Sequence, residues 1–210
     1  MAQMHVGRDE AFEIMVSVLA IALVFTFVRQ GINFPDPNLF IFNMAAAVIT
    51  LGSGFVLHEM AHKYYAIKYG ARAQFKAWPL GLALALVLAV VPQIIWGFHA
   101  GIFFIAPGAV YIYAMRRISV RENGIISLAA PVTNILLGLI FLALIIVMPA
   151  YQQLGTVLSI GFAINFFLAW FNLIPVFPLD GSKVLAWNWM IWLALFAPLT
   201  IFILSFMRLG

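Results

Sequence analysis

The chain has 210 residues, of which 65% are hydrophobic and only 9% are charged. This composition lies far outside the range of soluble globular domains and indicates an integral membrane protein. The sequence contains no cysteine. Disulfides and thiolate ligands are therefore excluded, and any metal site must be built from His, Asp or Glu.

Six apolar runs predict membrane helices, because each is close to the ~20 residues that a helix needs to cross a hydrocarbon core. Their lengths favour helix, and strand alternation is absent. They lie at about 11–28, 39–66, 80–97, 125–148, 155–175 and 186–207. The predicted fold is an all-α polytopic membrane protein, and residues 1–210 are expected to form a single membrane domain.

Basic residues predict which side of the membrane the loops face. The cytoplasmic side is predicted for two clusters, namely Lys68, Arg72 and Lys76 after the second helix, and Arg116, Arg117 and Arg121 before the fourth. The segment 80–114 between them must then cross and return. Its returning part, GIFFIAPGAVYIY at 101–113, is too short for a spanning helix but long enough if extended. A re-entrant or sheet-like element and an interfacial loop are both compatible with it.

The stretch VLHEMAHKYY at 56–65 carries the residues for metal chemistry. His58 and His62 are four residues apart, so on a helix both imidazoles lie on one face and can reach one ion. Glu59 lies about 100° around the helix, where it can meet a metal-bound water. With four histidines and four glutamates in 210 residues, chance would produce this motif once in ~700 such chains. The motif and its apolar setting predict a zinc site.

Two histidines leave zinc short of ligands, and Asp180 is the predicted third. Outside the motif, the other acidic residues all lie at the amino terminus, on the predicted outer side or among arginines. Asp180 lies in FNLIPVFPLDGSKV at 171–184, where two prolines interrupt regular helix and Gly181 permits a sharp turn. The alternative is a loop aspartate that caps the last helix.

The combination of HEMAH with NLIPVFPLDG about a hundred residues later resembles the site-2 protease family of intramembrane zinc metalloproteases. The resemblance covers about 39–185, with 80–114 as an inserted hairpin-like segment. It implies that His58, His62 and Asp180 bind zinc and that Glu59 activates water. In AAPVTN, at 129–134, it implies that Asn134 contacts the substrate backbone or the oxyanion, with an interhelical hydrogen bond as the alternative.

Further residues are interpreted through the same resemblance. Asn172 is expected to fix the unwound loop or to touch the substrate strand. Ser182 and Lys183 depart from the second glycine and the arginine that are frequent in the family. The fourth histidine, His99, is predicted to be an interfacial residue on the outer side.

The predicted function is hydrolysis of peptide bonds within or next to transmembrane helices, with Zn²⁺ as the cofactor. The expected partners are a transmembrane helical protein substrate and the lipid bilayer, with no nucleic acid. The chain is expected in the cell membrane, with the active site toward the cytoplasm. The alternatives are a membrane metal transporter, which also places ionisable groups at membrane depth, and a non-catalytic scaffold.

Overall fold

The computed structural model describes residues 4–32, 36–96, 108–148 and 152–209. These residues form eight α-helices, one π-helical segment and two short strands. In chain order the elements are α1 (Arg8–Gln30), α2 (Pro37–Ala47), the π-helical segment (Val48–Gly52), α3 (Ser53–Lys68), β1 (Ala71–Ala77), α4 (Pro79–Trp96), β2 (Gly108–Ala114), α5 (Val120–Val147), α6 (Gln152–Asn172), α7 (Asp180–Trp187) and α8 (Trp189–Leu209).

Five helices in the described part of the chain are long and apolar enough to cross a membrane. The second of them is a continuous stretch from Pro37 to Lys68, which contains α2, the π-helical segment and α3. The apolar part of α8, Trp189–Ser205, is shorter than the other five. These helices confirm the prediction of an all-α polytopic membrane protein.

The chain divides into two compact units. One contains Met1–Met4, Leu57–Ala73 and Ile112–Gly210, and the other contains His5–Val56 and Gln74–Tyr111, apart from the residues that are not described. The expectation of a single membrane domain stays a prediction.

The unit that contains α5 and α6 depends on close helix packing. A Cβ atom at Gly138 of α5 would lie 2.3 Å from the ring of Phe166 on α6, so this ring packs directly against the Gly138 backbone. Buried Ala169 of α6 and Leu173, directly after α6, pack against Leu199 of α8. This packing brings the polar side chains on α5 and α6 within hydrogen-bonding distance of each other.

In the other unit, two carboxylates of α1 bind backbone groups of β1. The N–H of Phe75 donates to Oε1 of Glu10 at 2.9 Å, and the N–H of Ala77 donates to Oε2 of Glu13 at 2.8 Å. Carboxylates therefore accept from backbone donors that would otherwise need another partner. The sequence showed only that acidic residues lie near the amino terminus, and this role was not predicted.

The two strands form one small sheet. Strand β2 confirms the sheet-like element within 101–113, although 101–107 lie outside the described residues. Strand β1 was not predicted, and it lies between two of the predicted apolar runs. Its sequence ARAQFKA alternates small or apolar residues with Arg72, Gln74 and Lys76, which is the two-residue period of a strand.

Candidate metal centre

Helix α3 places two imidazoles against one carboxylate. Nε2 of His62 lies 3.0 Å from Oδ2 of Asp180, and Nε2 of His58 lies 3.7 Å from the same oxygen. His58 and Asp180 are each only 6% exposed. Because all three residues belong to one compact unit, they form a buried cluster within a single body.

Asp180 reaches this position because the chain leaves helical structure before it. Helix α6 ends at Asn172, and Asp180 is the first residue of α7. The intervening residues 173–179 form turns and bends, and Nε1 of Trp192 donates a 2.8 Å hydrogen bond to the carbonyl of Leu173. Leu179, not Asp180, occupies the N-cap position of α7. The Asp180 carboxylate faces the histidines instead of capping the helix.

Gly181 allows the close packing directly after the carboxylate. A Cβ atom there would lie 2.1 Å from the carbonyl oxygen of Leu173 and 2.6 Å from that of Ile174. Both of these atoms belong to the backbone, so neither can rotate away as a side chain could. A residue with a side chain at this position must displace Asp180 or the loop.

Hydrogen bonds at Nδ1 fix how the two imidazoles face the cluster. Nδ1 of His58 lies 2.6 Å from Oδ1 of Asn134, and Nδ1 of His62 lies 3.0 Å from the carbonyl oxygen of Ile126. Both oxygens can only accept, so each Nδ1 carries the proton. When the imidazole is neutral, Nε2 is therefore the nitrogen that can bind a metal ion.

Lys183 binds the other carboxylate oxygen. Its Nζ lies 3.3 Å from Oδ1 of Asp180, so Oδ2 alone faces the histidines. Lys183 is partly exposed and Asp180 is buried. Lys183 therefore compensates part of the negative charge of Asp180, which lowers the cost of placing that charge away from water.

The arrangement fits a zinc ion. The three ligand atoms of His58, His62 and Asp180 all lie within 4.8 Å of one another. Two neutral imidazoles and one carboxylate are a donor set of catalytic zinc sites, in which three protein ligands leave a fourth position for water or substrate. The hydrogen bonds at both Nδ1 atoms are the outer contacts that such ligands make.

The other predicted site residues differ in their surroundings and hydrogen-bond partners. Glu59 is 6% exposed and lies close enough to His62 to interact with it electrostatically. Asn134 contacts His58. Asn172 is half-buried at the end of α6, and its amide donates to the carbonyl of Leu168 at 3.0 Å. His99 lies outside the described residues, and the catalytic and substrate-binding roles stay predictions.

Sequence analysis missed Asn165. It is fully buried on α6, and its Oδ1 accepts a 3.0 Å hydrogen bond from Nδ2 of Asn134. The available signal was a single amide in the apolar run SIGFAINFFLAW. A polar residue in such a run is expected to face another helix or a site rather than lipid.

Two proteins that this chain resembles carry names that refer to zinc, which agrees with the donor set of two histidines and an aspartate. The chain is 40% identical over 201 residues to a protein of Methanocaldococcus jannaschii named "Putative zinc metalloprotease MJ0611", with 96% of each chain covered. It is 30% identical over 162 residues to "Putative zinc metalloprotease YwhC" of Bacillus subtilis, with 68% of each chain covered.

The chain belongs to this zinc metalloprotease family. Neither a protein-family model nor a solved structure matches it. The family membership and the cluster of two histidines and an aspartate agree on Zn²⁺ as the metal.

Gly181→Ala is expected to weaken zinc binding at least ~10-fold, because the added methyl group would push Asp180 away from both histidines. The measurement is zinc affinity by chelator competition, on protein whose helix content is unchanged by circular dichroism. Gly155→Ala is the matched control, since no atom lies within 4 Å of a Cβ there. Native zinc affinity in Gly181→Ala would contradict the argument.

Proposed function

We propose that this protein is an intramembrane zinc endopeptidase that hydrolyses peptide bonds within or next to transmembrane helices. The observation that carries the proposal is the position of the donor set. His58 and His62 lie inside the apolar stretch Pro37–Lys68, with Asp180 against them and Glu59 directly after His58. The likeness to the site-2 protease family in HEMAH and NLIPVFPLDG supports the same proposal.

The depth of the ligands favours a substrate that lies in the membrane. At ~1.5 Å per residue, His58 lies ~15 Å and His62 ~9 Å before Lys68, where the helix ends among basic residues. Ionisable groups at such depth are costly unless they bind an ion or each other, so they mark functional sites. A soluble peptide would have to enter the membrane to reach them.

Each residue then has a defined task in hydrolysis. His58, His62 and Asp180 hold the zinc, which when bound supplies Lewis acidity toward water and the scissile carbonyl. Glu59 takes a proton from the attacking water as its oxygen forms a bond to the carbonyl carbon. When the C–N bond breaks, Glu59 returns that proton to the leaving amine nitrogen, so it is regenerated in each cycle.

The substrate of this proposal is a transmembrane helix of another protein. A helical peptide bond is shielded by its own hydrogen bonds and side chains, so the segment to be cut must first unfold locally. The lipid bilayer is the second partner, and no nucleic acid is expected.

The proposed location is the cell membrane, with the active site toward the cytoplasm. The supporting observation is that Lys68 and Arg72 follow α3 and Arg116, Arg117 and Arg121 precede α5, because basic residues collect in cytoplasmic loops.

A membrane-impermeant maleimide tests this orientation, since the chain has no cysteine of its own. A single cysteine at exposed Arg117 is expected to react only after the cells are opened, and one at exposed Asp36 to react in intact cells. The reverse pattern of labelling would overturn the proposed orientation.

Glu59→Gln tests the catalytic assignment. The variant is expected to bind about one zinc but to cleave a model transmembrane substrate ~100- to 10,000-fold more slowly, because the amide cannot accept the proton. Zinc content and cleavage are measured in detergent, with Glu122→Gln as the control, since Glu122 pairs with Arg116 outside the cluster. Cleavage by Glu59→Gln at the native rate would contradict the assignment.

Proteoliposomes distinguish the protease from a metal transporter. A transporter would move zinc across the bilayer in both the native protein and Glu59→Gln without cutting the substrate. The proposal expects the native protein to cut the substrate and neither form to move zinc.

A further inference from the structure

We propose that Asn134 and Asn165 are positioning residues that set the tautomer and the orientation of the zinc ligand His58. This inference rests on the proposed role of His58 in holding zinc. Neither asparagine belongs to the set of ligand atoms. Their effect is transmitted by a chain of hydrogen bonds that starts at a backbone carbonyl.

The direction of this chain is fixed at Gly161. The carbonyl oxygen of Gly161 can only accept, and it lies 2.9 Å from the amide nitrogen of Asn165. Asn165 must therefore present its nitrogen to Gly161, which leaves its Oδ1 facing Asn134. The backbone thus determines which way round the Asn165 amide lies.

Asn165 in turn determines the orientation of Asn134. Its Oδ1 accepts from Nδ2 of Asn134 at 3.0 Å, so Oδ1 of Asn134 points to His58. That oxygen lies 2.6 Å from Nδ1 of His58 and can only accept. His58 must donate from Nδ1, which leaves the lone pair of Nε2 available to the metal.

Burial makes the chain difficult to replace. Asn134 and Asn165 are both 0% exposed, and His58 is 6% exposed. Water therefore has little access to substitute for a lost amide, and a buried polar group without its partner is costly.

The second histidine is held in a different way and provides an internal comparison. Nδ1 of His62 is bound by the backbone carbonyl of Ile126, which no side-chain substitution removes. Changes at Asn134 or Asn165 should therefore affect His58 and leave His62 as it is.

The test measures zinc affinity of the full chain in detergent, after the metal is removed with a chelator. Asn165→Leu is expected to weaken zinc binding ~10- to 100-fold, the usual range for losing an outer contact of a metal ligand. Asn134→Leu is expected to have an effect of similar size. Because Asn165 acts through Asn134, the double variant should bind zinc no more weakly than Asn134→Leu alone.

Asn165→Asp is the conservative variant. A carboxyl group buried among apolar helices is expected to be protonated, so its O–H can donate to Gly161 while its other oxygen accepts from Asn134. Zinc affinity within about threefold of the native value is expected. This variant also keeps the test decisive if Asn165→Leu fails to fold.

A purely structural role for the amides is excluded by two further measurements. Nitrogen-15 NMR of the metal-free protein should show that His58 loses its Nδ1–H tautomer in Asn165→Leu, while His62 keeps its own. Asn43→Leu is the control, because Asn43 is a buried amide of the other compact unit and donates to Gln30. It is expected to lower stability without changing zinc affinity.

The outcomes separate this inference from the proposed function. If the native protein binds no zinc, the proposed function fails. If it binds zinc but a folded Asn165→Leu variant has native zinc affinity, the positioning role is wrong. It is also wrong if Asn165→Leu weakens zinc binding as much in the Asn134→Leu background as in the native protein. Native zinc affinity in both Asn165→Leu and Asn134→Leu would show that neither amide positions His58.

Discussion

The burial of a carboxylate between two imidazoles is the interaction on which the site depends. Oδ2 of Asp180 lies 3.0 Å from Nε2 of His62 and 3.7 Å from Nε2 of His58. Asp180 is only 6% exposed, and an unpaired charge so far from water is strongly disfavoured. The groups are stable there only because each has partners and because together they can hold a cation. The contacts that stabilise this part of the protein are therefore the same contacts that prepare it to bind zinc.

Three parts of the chain supply these contacts. Helix α3 contributes the histidines, and the break between α6 and α7 turns Asp180 toward them. Helix α5 supplies the acceptor for each Nδ1 atom, through Asn134 and the carbonyl of Ile126. Tight contact at Gly138 brings α5 close enough to α6 for Asn165 to reach Asn134. The packing of apolar helices thus determines the direction of individual lone pairs.

The sequence predicted the parts of this site that depend on local spacing. Two histidines four residues apart share a helix face wherever the helix lies, and Asp180 was the acidic residue left at a helix break. The sequence did not show Asn165, because its partner is thirty-one positions away and only packing brings the two together. Strand β1 was missed although ARAQFKA alternates, since basic residues in a short loop were interpreted only as topology signals. The π-helical segment Val48–Gly52 has no signal in the apolar run that contains it.

X-ray absorption at the zinc edge of the purified protein tests the central claim most directly. Our account predicts one zinc per chain, with two imidazole nitrogens at about 2.0–2.1 Å and oxygen in the remaining positions. His58→Ala, His62→Ala and Asp180→Ala should each weaken or remove the signal. A shell of oxygen alone, more than two imidazoles, or no zinc in freshly purified protein would contradict the account.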